Sequence, residues 1–142
     1  MTNRMLRDER GSITVWIALS SFVMIFLVGL AVDLGGQVHA HERAHDLAAQ
    51  AARAGAEEVE GGAAIEGRDL AIDPTAARAA AQGYLQTAGV SGTVTIANGN
   101  TITVTVHDTY DAQFLGLIGI NKLDVTGTAT AHLIRTLGGN PR

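Results

Sequence analysis

Between Ile13 and Leu34 the chain reads ITVWIALSSFVMIFLVGLAVDL, and the only ionisable residue in the run, Asp33, is next to its last position. A helix of this length rises roughly 33 Å at about 1.5 Å per residue, enough to cross a hydrocarbon core of about 30 Å. Thr14, Ser20 and Ser21 fit such a helix, because a hydroxyl can bond back to a carbonyl one turn earlier. A transmembrane helix over residues 13–36 is therefore expected, and it constrains everything that follows. Arg4, Arg7 and Arg10 precede the run, and the next basic residue is Arg43. Orientation responds to Lys and Arg rather than to net charge, which places the N-terminal segment 1–12 in the cytoplasm and the chain after about Gly36 outside. A secretory signal peptide is the alternative. Against it, the run exceeds the usual apolar length of about 7–15 residues, and Leu34-Gly35-Gly36 is a poor cleavage site.

The part beyond the membrane is long enough for one small domain and a connecting helix. Aromatic content is only 4%, and the chain carries 17 glycines, so packing has to rely on small aliphatic side chains and closely approaching backbones. That composition suits thin, closely packed elements better than a large pocket. The chain has no cysteine, which excludes disulfides and thiolate metal sites. The formal charge of -4 falls on the exported part, and nucleic acid is not an expected partner.

Residues 37–60 contain no proline and are rich in alanine, so the membrane helix is expected to continue as an amphipathic extension, with Gly35-Gly36 as the one place it could bend. At about 100° per residue, Glu42, Asp46, Gln50, Arg53 and Glu57 form one stripe, and Ala44, Leu47, Ala48, Ala51 and Gly55 form the other. The small side chains predict close approach by a sheet or by a neighbouring subunit's helix. His41-Glu42-Arg43-Ala44-His45 matches HExxH, which on a helix can present two histidines to zinc with the Glu as general base. A catalytic zinc needs a third protein ligand and an open position in a cleft, and the following Asp46-Leu47-Ala48-Ala49-Gln50 supplies no such extension. His41 and His45, with His39 beside them, therefore stand as weak metal candidates on an exposed face, with a zinc-dependent hydrolase as a remote alternative.

Gly61-Gly62, Gly67 and Asp73-Pro74 punctuate a loop. Asp73 reads as an N-cap with Pro74 at the first helical position, and the second helix runs to about Thr87 with Ala77, Ala81, Tyr84, Leu85 and Ala88 on its apolar face. Beyond it the period changes to two over Thr93–Ile96 and Thr101–Val106, separated by Asn98-Gly99-Asn100. A two-residue turn would place the two apolar sets on different faces. A three-residue loop pairs Ile96 with Ile102 and Val94 with Val104, with Asn100 in the left-handed position. His107-Asp108 reads as a solvated turn. Phe114–Ile120 is too short to span a bilayer and is expected as a short core helix, with a patch packed on a partner as the alternative. A last strand alternates Leu123, Val125, Gly127, Ala129, Ala131 and Leu133 with polar residues. Its small central residues would let one of the helices lie close.

No catalytic constellation emerges, and neither a cofactor nor a catalytic residue is expected. Several segments do resemble a known family. Arg10-Gly11-Ser12, the apolar helix ending Val32-Asp33-Leu34-Gly35, Arg43-Ala44, and Ala51-Ala52-Arg53-Ala54-Gly55-Ala56 are similar to the N-terminal region of TadE/TadG-like pilus-assembly proteins, particularly actinobacterial ones. Phe114-Leu115-Gly116 and Gly127-Thr128-Ala129-Thr130-Ala131 resemble that family's C-terminal strand region. The resemblance implies a minor pilin or pseudopilin-like component of tight-adherence (Flp) pili, single-pass, with a cytoplasmic N-terminus and no enzyme activity. Prepilin peptidase substrates in this system carry a glycine followed five residues later by Glu. Here Gly11 and Ser12 are the candidate processing site, and Trp16 stands where that Glu would be.

The fold expected is α+β and pilin-like: the membrane helix 13–36, its extension 37–60, and a head over 61–142 with a second helix and an antiparallel sheet of three to four strands. The expected partners are the lipid bilayer, other pilins or platform proteins of the assembly machinery, and a homo- or hetero-oligomer through the helix. A membrane-anchored binding module unrelated to pili is the main alternative. Asp33, at the outer membrane edge, is expected to reach water as a boundary residue, with a subunit contact as the sharper reading.

Overall fold

A computed structural model of the chain describes residues 9–58 and 73–132. Helix α1 runs without interruption over Glu9–Ala56, a length of 48 residues. Helix α2 spans Pro74–Thr87. Three strands follow, β1 Ser91–Ala97, β2 Thr101–Asp111 and β3 Lys122–His132, with a 3-10 turn at Leu115–Ile118 between the last two. The sheet is antiparallel in the order β1-β2-β3, the lower end of the expected range of three to four strands.

The first half of α1 is apolar on every side and stands almost bare: only 6% of its most apolar stretch is buried. A core helix of a soluble protein would be mostly covered, so this is a helix long and apolar enough to cross a membrane with its surface left for lipid. Gly35 and Gly36 do not interrupt it. The second half buries the small-residue face read from the sequence, since Ala44, Ala48, Ala51 and Ala52 are at most 1% exposed. The helix ends at Ala56, four residues short of the expected Glu60, and the chain turns through Glu57 and Glu58, whose amides bond back to Arg53 and Gly55 at 3.1 and 3.2 Å. The acidic run Glu57-Glu58 explains the early stop, because negative charge at the carbonyl end of a helix is unfavourable.

Helix α2 matches expectation at both ends. The Asp73 carboxylate accepts from the amides of Thr75 and Ala76 at 2.9 and 3.1 Å, and Gly89 takes a left-handed φ of 71° just beyond the last turn. Ala77, Ala81 and Leu85 are its buried residues.

Both helices lie on one face of the sheet, where Ile102, Val104 and Val106 of β2 are fully buried and Val125 of β3 nearly so. The opposite face carries the alternating threonines and stays polar. Ile96 pairs with Ile102 and Val94 with Val104, as the three-residue loop requires. The left-handed residues in that loop are Asn98 and Gly99, at φ 53° and 68°, rather than Asn100. Asn-Gly is the dipeptide best suited to two successive positive φ values, and its turn closes by the Asn100 amide donating to the Ala97 carbonyl at 3.4 Å.

Two further expectations are corrected. His107 and Asp108 are not in a turn: they pair with Thr126 and Val125 inside an extended β2. Phe114–Ile120 is not a core helix, since its 3-10 turn has no buried residue and Leu117 is 86% exposed. The surface this segment leans on is the apolar half of α1. Leu133 and the loop between the helices, apart from its Asp73-Pro74 end, fall outside the described residues.

Candidate functional site at the membrane edge

Strand β2 runs down the side of α1. Ile102 packs at Gly55, and Tyr110 reaches Gly36, where an added Cβ would overlap its phenol ring. Two turns deeper, the Phe114 ring closes over Gly29, leaving only 2.7 Å between its nearest carbons and where a Cβ would stand. Between these two contacts lies Asp33. Residues 29, 33 and 36 are spaced i, i+4 and i+7, so at about 100° per residue they share one face of the helix. Two glycines admit aromatic rings against the backbone, and the residue between them supplies a carboxylate.

That carboxylate is the only buried charged side chain among the described residues, at 0% exposure. Its Oδ1 accepts from the Gln113 amide at 2.7 Å, and its Oδ2 accepts from the amides of Phe114 and Leu115 at 2.8 and 2.6 Å. The Tyr110 ring lies against Gly36, one turn along the same face. The three partners are donors, successive backbone amides at the start of the 3-10 turn, which that turn cannot satisfy internally. Asp33 therefore caps the β2–β3 connection across eighty residues of sequence and fastens the head to the helix at the level where the apolar run ends. It is enclosed by its own chain rather than open to water, unlike the boundary residue expected from the sequence.

The other candidate residues read from the sequence lie apart from Asp33. His41 and His45 are exposed on α1, and the described residues hold no group of three or more metal-capable side chains. His39 meets Glu42 at 3.5 Å in an exposed i,i+3 pair, a contact worth little in water. Gly11 and Ser12 lie in the first turn of α1, which begins at Glu9.

Sequence reasoning found Asp33 and missed Tyr110, Phe114, Gly29 and Gly36. The signal was present: the small-residue face of α1 does not begin at Ala44 but continues back through Ala40, Gly36 and Gly29.

The described residues form a single long helix, apolar and bare at one end and long enough to cross a membrane, that carries a small α+β head at the other. Residues 11–58, nearly all of α1, match the family model described as putative Flp pilus-assembly TadE/G-like, so this stretch is similar to that family. No curated protein and no solved structure matches the chain.

Proposed function

We propose that this protein is a non-enzymatic, single-pass assembly component of a Flp-type pilus or its related secretion machinery, minor-pilin-like in architecture, with its N-terminus in the cytoplasm and its head outside. The observation that carries the reading is the TadE/G-like match over residues 11–58, together with a membrane-length helix that continues without a break into the head. The family description supports a pilus-assembly role, and the basic residues Arg4, Arg7 and Arg10 before the apolar run support the orientation. Because Trp16 replaces the Glu of a processed prepilin, the chain stays uncleaved at Gly11-Ser12 and acts from the membrane.

Isolation from membranes tests this directly. The tagged full chain is expected to co-purify with pilus subunits or with the assembly platform. Recovery with neither would remove the pilus reading and leave an anchored binding module. N-terminal sequencing of the same material should find no chain starting at Ser12. Metal analysis should find no stoichiometric zinc, since zinc held by His41 and His45 would instead support hydrolase chemistry. An Asp33→Asn chain that assembles normally would restrict Asp33 to its contacts within this chain.

A further inference from the structure

Loop tips of a head that stands in water normally carry polar side chains. Residues 112–121, AQFLGLIGIN, do the reverse: none is ionisable, Leu117 and Ile118 are 86% and 57% exposed, and Phe114 and Ile120 are 41% and 43% exposed. Their position accounts for this. The apolar members of the loop lie alongside Phe22, Ile25, Phe26 and Leu30 of α1, below Asp33 on the membrane side, and enclose with them an apolar groove of about 490 Å³. From Asp33 back to Phe22 the helix descends about 16 Å, roughly half of a hydrocarbon core of about 30 Å.

We propose that the β2–β3 connection is a second membrane-inserted element, lying in the hydrocarbon of the leaflet on the head's side, with lipid acyl chains filling the groove between Leu117, Ile118 and α1. The inference rests on α1 spanning the membrane. Three observations support it beyond depth. Irregular backbone survives in hydrocarbon only where its polar groups are paired. Here the amides of Gln113, Phe114 and Leu115 go to Asp33, Ala112 donates to the Asn121 carbonyl at 2.9 Å, and Ile120 donates to the Leu115 carbonyl at 3.0 Å. The charged residues stop at the base of the loop, where Lys122 and Asp111 approach to 3.9 Å. Lys122 keeps its side chain 68% exposed, placed to reach headgroups. Finally, the groove is continuous with an α1 surface that is apolar and exposed all round, so whatever medium covers the helix covers the loop. A second protein helix seated there would leave the rest of that surface to lipid in any case.

The chain contains no cysteine, so single-cysteine variants can be labelled cleanly with an environment-sensitive nitrobenzoxadiazole dye. The full chain is reconstituted in phosphatidylcholine vesicles with labels at L117C, at V28C on an exposed flank of α1 outside the groove, and at T95C on the exposed sheet face. Position 117 is expected to lose fluorescence to doxyl-labelled lipid as position 28 does and to ignore aqueous cobalt, while position 95 does the opposite. Cobalt quenching at 117 with position 28 still in lipid would overturn the inserted loop and leave the anchor standing. Protection of 117 from both quenchers would overturn it in favour of a protein cover. Cobalt quenching at position 28 would remove the membrane reading of α1, and the loop with it.

Discussion

The sheet meets α1 backbone to backbone at Gly127, so adding a single carbon there is an informative perturbation. A Cβ on Gly127 would overlap the Ala44 carbonyl carbon and the His45 amide nitrogen. Those atoms belong to a continuous helix and cannot rotate aside as a side chain would. To regain ordinary contact at about 3.5 Å the helix must retreat by roughly 1 Å, and a gap of that size forfeits a quarter to a half of the dispersion energy of the contacts it opens. The contacts at risk are those of Ala44, Ala48 and Ala51 with Val104 and Val106, all fully buried. Overpacking costs about 1–3 kcal/mol, and a rigid backbone neighbour places Gly127→Ala at the upper end. At about 4–8 °C per kcal/mol for a head of this size, the melting temperature should fall by roughly 10–20 °C. The matched control is Gly83→Ala in α2, where an added Cβ meets nothing within 4 Å. That variant replaces a helix-interior glycine in open space and should gain about 0.5–1 kcal/mol. Scanning calorimetry of the purified full chains in detergent micelles measures both. If Gly127→Ala melts at or above the parent while Gly83→Ala is stabilised, the close contact between α1 and β3 is not what holds the head in place.

The remaining expectations use separate parts of the molecule. Asp33→Asn keeps the size of the side chain but turns donors toward donors, so amide hydrogen exchange at 113–115 should accelerate by about tenfold or more; unchanged protection would mean that the turn holds itself. Asp73→Ala removes the cap of α2 and should cost about 1 kcal/mol, read as a lower denaturant midpoint, and an unchanged midpoint would deny the cap any energetic role. Ile102→Ala empties a fully buried position and should cost about 2–5 kcal/mol, whereas Thr103→Ala on the outer face should stay within about 0.5 kcal/mol. Equal losses at the two sites would contradict the one-sided core.

Periodicity made most of this architecture legible. The apolar run and the arginines before it marked the membrane helix, the alanine stripe marked the buried half of α1, and the Asp73-Pro74 pair marked the start of α2 at the residue observed. Face-matching of Ile96 with Ile102 selects the observed hairpin register. The misses share a cause. Gly29 and Gly36 continue the small-residue face of α1, but they sit in a segment whose hydrophobicity is uniform, so hydropathy does not separate a glycine that admits a ring from one that merely tolerates lipid. Gly35, with open space at its Cβ position, shows how similar neighbours differ. Likewise Phe114–Ile120 has the composition of a core segment, and composition cannot tell burial in protein from burial in lipid. Only the descent of β2 along α1, a long-range pairing, decides which it is.

The lone charge in the apolar run is set by the head rather than by the membrane edge, and this distinction can be tested without changing composition. Three successive amides at the start of a 3-10 turn need an acceptor with several lone pairs, and a buried carboxylate at the right azimuth meets that need. The double variant Asp33→Leu/Leu34→Asp keeps the same residues, the same hydropathy and nearly the same depth, but rotates the carboxylate by about 100° onto the surface where Leu34 is now 50% exposed. A boundary residue would tolerate that move, and the swapped chain would protect the amides of 113–115 as the parent does. A cap would not tolerate it, and exchange there should rise as far as in Asp33→Asn while α1 still inserts, monitored by the lipid quenching of a label at position 28. Parent-like protection in the swapped chain would refute the cap. It would return Asp33 to the role of a charge that only marks where the bilayer ends.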